Sequence, residues 1–147
     1  MIRVLLADDH ARFRGYLQAL LEKQPRIALV GSAGDGQAAI DAVEELLRAS
    51  GRVPDVVITD IRMHPLDGIE ATRRLMALHP KLKVLGLTSH DDPALIGALI
   101  AAGARGCLLK GDPVPDLLHA IEEVAAGRRW FSPLLGQMFP DSPHSAD

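Results

Sequence analysis

The chain has 147 residues, 48% hydrophobic and 24% charged, with 16 Lys+Arg against 19 Asp+Glu and a formal charge of -3. That size and balance suit one soluble globular domain and exclude a disordered chain, a collagen-like repeat and a strongly basic nucleic-acid binder. The longest uncharged apolar stretches, such as 94–103, are too short to cross a bilayer, no leader pattern precedes the first strand-like run, and the lone Cys107 excludes an internal disulfide, so a cytoplasmic protein without a membrane partner is expected.

Along the chain, short apolar runs alternate with longer stretches of helical period. Ile2–Ala7 reads as a buried strand, followed by a helix with Leu17, Leu20 and Leu21 on one face. A second strand at Ile27–Ala33 leads through Asp35, a helix cap, to a helix carrying Ala39, Val43, Leu46 and Leu47. A third strand at Val56–Thr59 precedes a helix capped by Asp67 and bearing Ile69, Thr72, Leu75 and Met76. The fourth strand, 84–88, is followed by Asp91, Asp92 and Pro93, which open a helix with Leu95, Leu99 and Ile100 that ends near Gly103. A fifth strand at Gly106–Leu109 and a helix with Leu117, Leu118, Ile121 and Val124 complete the series at Gly127.

Five nearly continuous apolar strands separated by five amphipathic helices predict a doubly wound parallel α/β sheet, a three-layer sandwich whose strand C-termini share one edge. Residues 1–127 form this unit, and 128–147, broken by Pro133, Pro140 and Pro143, form a C-terminal extension. That extension is unusually apolar: Trp130, Phe131, Leu134, Leu135, Met138 and Phe139 lie within it. Such a tail either folds back over the domain or forms an interface with a partner or a second copy.

The strand ends gather Asp8 and Asp9, Asp60, Thr88 and Lys110 on that edge. Any one of these residues alone reads as a cap or a solvated side chain. Three carboxylates together repel, and a hard divalent cation with oxygen ligands, Mg2+ first, is the simplest means of keeping them ionised. A carboxylate can attack phosphorus while a lysine and a hydroxyl neutralise phosphate oxygens. Asp60, ending the central strand, is the expected nucleophile.

These residues resemble the receiver domains of two-component response regulators. Val4-Leu5-Leu6-Ala7-Asp8-Asp9-His10 is similar to the family's acidic pair, and Val56-Val57-Ile58-Thr59-Asp60-Ile61-Arg62-Met63 with Asp67-Gly68 to its phosphoacceptor loop. Leu87-Thr88-Ser89 resembles the hydroxyl switch, Gly103 through Lys110 the fifth strand and its lysine, and Ala126-Gly127-Arg128-Arg129-Trp130-Phe131-Ser132-Pro133 the NarL-type subgroup. The resemblance implies a flavodoxin-like fold with strand order 2-1-3-4-5 and phosphoryl transfer to Asp60 from a histidine kinase or a small phosphodonor. It further implies Mg2+ held by Asp9, by Asp8 through water, by Asp60 and by the Arg62 backbone carbonyl. Thr88, Ser89 and Lys110 would bind the phosphoryl group, and His64 and His90 would tune its loss. The implied output surface, for a homodimer or another partner, is the fourth helix, fifth strand and fifth helix, or the tail.

Three positions depart from the family pattern. His64 stands where a proline is usual, with Pro65 next; Cys107 replaces the aromatic switch residue; Gly111 follows Lys110 where many receivers have proline. NarL-type regulators continue into a helix-turn-helix domain, for which this sequence shows no recognition helix, so no DNA binding by the chain as given is expected. Either a stand-alone receiver or a fragment of a DNA-binding regulator fits. The alternative function is a phosphorylation-independent interaction module with the switch weakened at Cys107 and His64. An aspartate-based phosphatase would need a second Asp where Arg62 stands, and a transition-metal site of His10, His64 and His90 is the remaining, less favoured arrangement. The only catalysis expected is self-phosphorylation and autodephosphorylation.

Overall fold

The computed structural model describes residues 1–89 and 91–136, and all ten expected elements form. The strands are β1 (Ile2–Ala7), β2 (Ile27–Ala33), β3 (Val56–Thr59), β4 (Lys83–Thr88) and β5 (Gly106–Leu109). They alternate with α1 (Ala11–Glu22), α2 (Gly36–Ser50), α3 (Gly68–Leu78), α4 (Pro93–Ala101) and α5 (Val114–Ala125). Every strand pairing is parallel, and the first five strands follow the order β2-β1-β3-β4-β5 of a flavodoxin-like sheet.

The expected count of five strands and five helices is corrected. The tail adds β6 (Trp130–Phe131), parallel to β5 and outermost in a six-stranded sheet, and a short α6 (Pro133–Gly136). Backbone bonds tie this strand down, among them Trp130 N–H to the Arg105 carbonyl and Ser132 N–H to the Cys107 carbonyl. A two-residue strand has no periodicity to read. Its one sequence signal is Gly106: a Cβ there would stand 1.9 Å from the Trp130 carbonyl oxygen, so only glycine admits the new strand. The apolar tail therefore folds back as far as Gly136, while Met138 and Phe139 lie outside the described residues.

Successive strand residues point to opposite faces, which divides the core in two. Leu5, Ala7, Val57, Val84, Cys107 and Phe131 pack against Val43 of α2, Leu75 of α3, and Ile96 and Leu99 of α4. On the other face Val4, Leu6, Ile58, Leu85, Leu108 and Trp130 meet Leu17 and Leu21 of α1 and Leu117 and Ile121 of α5. The helices start where the caps predict. The Asp35 carboxylate accepts from Ala38 N–H and Asp67 from Glu70 N–H, both at 2.8 Å, and Asp92 caps α4 ahead of Pro93. Beyond α4 and α5, Gly103 and Gly127 take positive φ, the left-handed turn that β-carbons disfavour.

Cys107 is fully buried on β5, and burial first, then the negative charges of Asp60 and Asp112, pushes its thiol up to about 12. Since the thiolate is the reactive form, Cys107 should give no iodoacetamide adduct in the native protein near neutral pH and complete labelling in urea, read by intact mass. Equal labelling in both states would contradict the burial.

Candidate functional site

Parallel pairing places the ends of β1, β3, β4 and β5 side by side, and the chemistry is carried by the residue after β1, β3 and β5 and by the last residue of β4, Thr88. The ladder runs one step beyond the strands: Asp8 N–H donates to the Ala33 carbonyl, Asp60 N–H to Ala7 and Lys110 N–H to Thr88. Asp8, Asp60 and Thr88 are thereby buried, whereas Asp9 turns outward and is partly exposed.

Lys110 joins the two buried carboxylates. Its Nζ donates to Asp60 Oδ2 at 2.9 Å and lies 2.7 Å from Asp8 Oδ2, with the Phe13 ring 4.5 Å away beneath the ammonium. Burial works against the charged lysine, but the contacts with Asp8 and Asp60 outweigh it and hold its pKa above the usual value. The remaining oxygens are also engaged: Ile61 N–H donates to Asp60 Oδ1 at 2.7 Å, and His10 N–H to Asp8 Oδ1 at 2.8 Å. Three carboxylates face one ammonium, and the excess negative charge is what a divalent cation would offset.

The loop after Asp60 is held by close backbone packing. Gly68 N–H donates to the Ile61 carbonyl at 2.7 Å, and a Cβ on Gly68 would stand 2.0 Å from the Asp60 carbonyl oxygen. Gly68 therefore lets α3 begin directly against the strand end that carries Asp60. Along this loop Arg62, His64 and Pro65 are exposed, Met63 is buried, and the His64–Pro65 peptide is cis. Ser89 lies exposed beyond β4 and, with Lys110 and Gly111, lines a shallow groove beside the carboxylates.

Among the described residues the groups able to share one cation are Asp8, Asp9, His10 and Asp60, one atom from each falling within 4.8 Å of the others. His64 is not in this cluster, and His90, the third member of the three-histidine arrangement, lies outside the described residues. Two features escape a reading of the sequence. Arg14 reaches back from α1 to the Asp8 carbonyl at 2.5 Å, and the His10 ring turns toward the acids instead of capping the helix it precedes. Neither direction is encoded in spacing, because both depend on the backbone angles where β1 gives way to α1.

The response regulator receiver domain family matches residues 4–122. The chain is 36% identical over 137 residues to the response regulator GacA of Pseudomonas viridiflava, covering 93% of this chain and 61% of that protein. It is 36% identical over 148 residues to the transcriptional regulatory protein LiaR of Bacillus subtilis, covering 100% of this chain and 67% of that one. Among solved structures, a LuxR-family two-component response regulator from Aurantimonas sp. SI85-9A1 superposes with a TM-score of 0.81 at 33% identity, covering 95% of each chain. The chain thus spans about three fifths of the length of curated relatives such as GacA.

Proposed function

The chain belongs to the response regulator receiver domain family, and from that premise we propose that it is a phosphoacceptor switch in two-component signalling, modified on Asp60. The observation that carries this reading is the bridge from Lys110 to Asp60 and Asp8 at the meeting of the strand ends, with Asp9 beside it. A buried carboxylate aimed at a cation-lined groove is placed to attack phosphorus.

Asp8, Asp9, Asp60 and the Arg62 carbonyl are the oxygen ligands proposed for Mg2+, a donor set that suits a hard ion. Bound there, the ion would shield the phosphoryl oxygens from the acids. The Asp60 oxygen forms the new bond to phosphorus as the phosphorus–nitrogen bond of a phosphohistidine, or the anhydride bond of acetyl phosphate, breaks. The leaving imidazole or acetate carries away the electron pair. Lys110 neutralises one phosphoryl oxygen, and Thr88 and Ser89 donate to another. His64 and His90, the latter outside the described residues, are assigned by the family resemblance to tune how fast the aspartyl phosphate is lost.

The phosphoacceptor unit is assigned to residues 1–127 and the extension to 128–147, whose first part is built into the sheet. The phosphodonor partner is a histidine kinase, and the compartment a cytoplasm; no helix among the described residues is long and apolar enough to cross a membrane. Along the α4–β5–α5 side β6 occupies the outer edge of β5, so a dimer or output partner docking there meets β6 and α6 first.

Intact mass after incubation with acetyl phosphate and Mg2+ tests the assignment. Wild type should gain one phosphoryl group, while Asp60→Ala and a chelator-treated sample gain none. An adduct that survives in Asp60→Ala would remove Asp60 from the role, and no adduct from acetyl phosphate or from a panel of phosphorylated histidine kinases would remove the switch.

A further inference from the structure

His10 is the one member of the strand-end cluster to which the phosphoryl chemistry gives no task. It occupies the N-cap of α1, where Ser, Thr, Asp or Asn ordinarily satisfies a free backbone N–H, yet its side chain makes no capping bond. The imidazole is directed at the acids. Its Nδ1 lies 3.3 Å from Asp8 Oδ1, 3.4 Å from Asp9 Oδ1 and 3.9 Å from Asp60 Oδ2.

These separations have a geometric meaning. Two atoms bound to one ion at about 2.0–2.1 Å stand about 3.0–3.4 Å apart when adjacent and about 4 Å when nearly opposite. The three His10 distances fall on the edges and the span of such a polyhedron, with each carboxylate contributing one oxygen. At Asp8 Lys110 engages Oδ2 while the imidazole faces Oδ1, whereas at Asp60 both face Oδ2, so an ion there would share that oxygen with the lysine. The ring is also well exposed, so an incoming ion reaches Nδ1 without rearrangement of the core.

Resting on the reading of these acids as a cation pocket, we propose that His10 Nδ1 is itself a ligand and makes the pocket favour a transition ion over Mg2+. The reason is ligand chemistry. Carboxylate, carbonyl and water oxygens suit Mg2+, whereas a neutral imidazole nitrogen suits Ni2+ and Zn2+ and adds little for a hard ion that holds its waters. An all-oxygen version of the pocket keeps Mg2+ and loses the added preference.

The test is calorimetric titration of the untagged chain with Ni2+ and, separately, with Mg2+, using wild type, His10→Ala and Asp9→Ala, each checked for folding by circular dichroism. His10→Ala should weaken Ni2+ binding by about tenfold or more while moving Mg2+ by less than about twofold, and Asp9→Ala should weaken both. If His10→Ala changes neither ion, or both equally, while Asp9→Ala still weakens both, the pocket stands and the ligand role of His10 falls. If Asp9→Ala changes neither, the cation pocket itself is misplaced and the inference falls with it.

Discussion

Phe131→Ala should lower the unfolding free energy by about 3–5 kcal/mol, the cost of emptying a buried phenylalanine site. Phe131 has no exposed surface, stands in register with Cys107 on the neighbouring strand, and shares a cluster with Ile96 and Leu99 of α4. Cysteine is small, so much of the apolar volume between β5 and α4 is filled from the edge strand. A domain of this size has about 5–15 kcal/mol in total, so the variant should unfold at far lower urea concentration. Phe131→Leu keeps most of the volume and should cost about 1–3 kcal/mol. Urea titration followed by circular dichroism measures both, and a loss below about 1 kcal/mol for the alanine variant would show that β6 lies outside the cooperative unit.

Lys110→Met should cost about 3–5 kcal/mol in a chelating buffer, because it leaves Asp8 and Asp60 buried as like charges without their shared counter-charge. Methionine keeps an unbranched apolar side chain of similar reach, so the loss reports the ammonium and its contacts with the acids and the Phe13 ring more than packing. Excess Mg2+ supplies replacement positive charge and should stabilise Lys110→Met more than it stabilises wild type. The pH dependence has a definite sign. The folded lysine titrates above its unfolded value of about 10.4, so the stability it supplies is complete below that pH and fades as pH rises through the folded value. The gap between wild type and Lys110→Met should therefore be constant around neutrality and close at strongly alkaline pH. A variant as stable as wild type in chelator would mean that the carboxylates do not need Lys110.

What the sequence makes legible here follows from which forces act locally. β1, β3, β4 and β5 are buried on both faces over most of their length, so they appear as nearly continuous apolar runs, and Asp35, Asp67 and Asp92 mark helix starts because capping is a contact over two or three residues. The strand-end cluster is legible once the strands are placed, since parallel pairing puts Asp8, Asp60 and Lys110 on one edge whatever their separation along the chain. Two features are not legible. β6 owes its position to packing of Trp130 and Phe131 on opposite faces rather than to any pattern of its own, and the His10 ring direction is set by extended backbone angles at the cap. Gly106 was the available clue to the first; nothing in the residue spacing announces the second.

The edge strand also sets an order of events in biosynthesis. A chain emerging from the ribosome can pair β2, β1, β3, β4 and β5 before Trp130 and Phe131 are free of the exit tunnel, because those two residues lie beyond the whole of α5. Until they arrive, β5 is an open border with apolar residues on both sides, the kind of template that recruits a strand from another polypeptide. The rate at which residues 110–131 leave the exit tunnel therefore determines how long the nascent protein is exposed to mispairing, and slow translation during that interval should reduce soluble yield without changing a single amino acid.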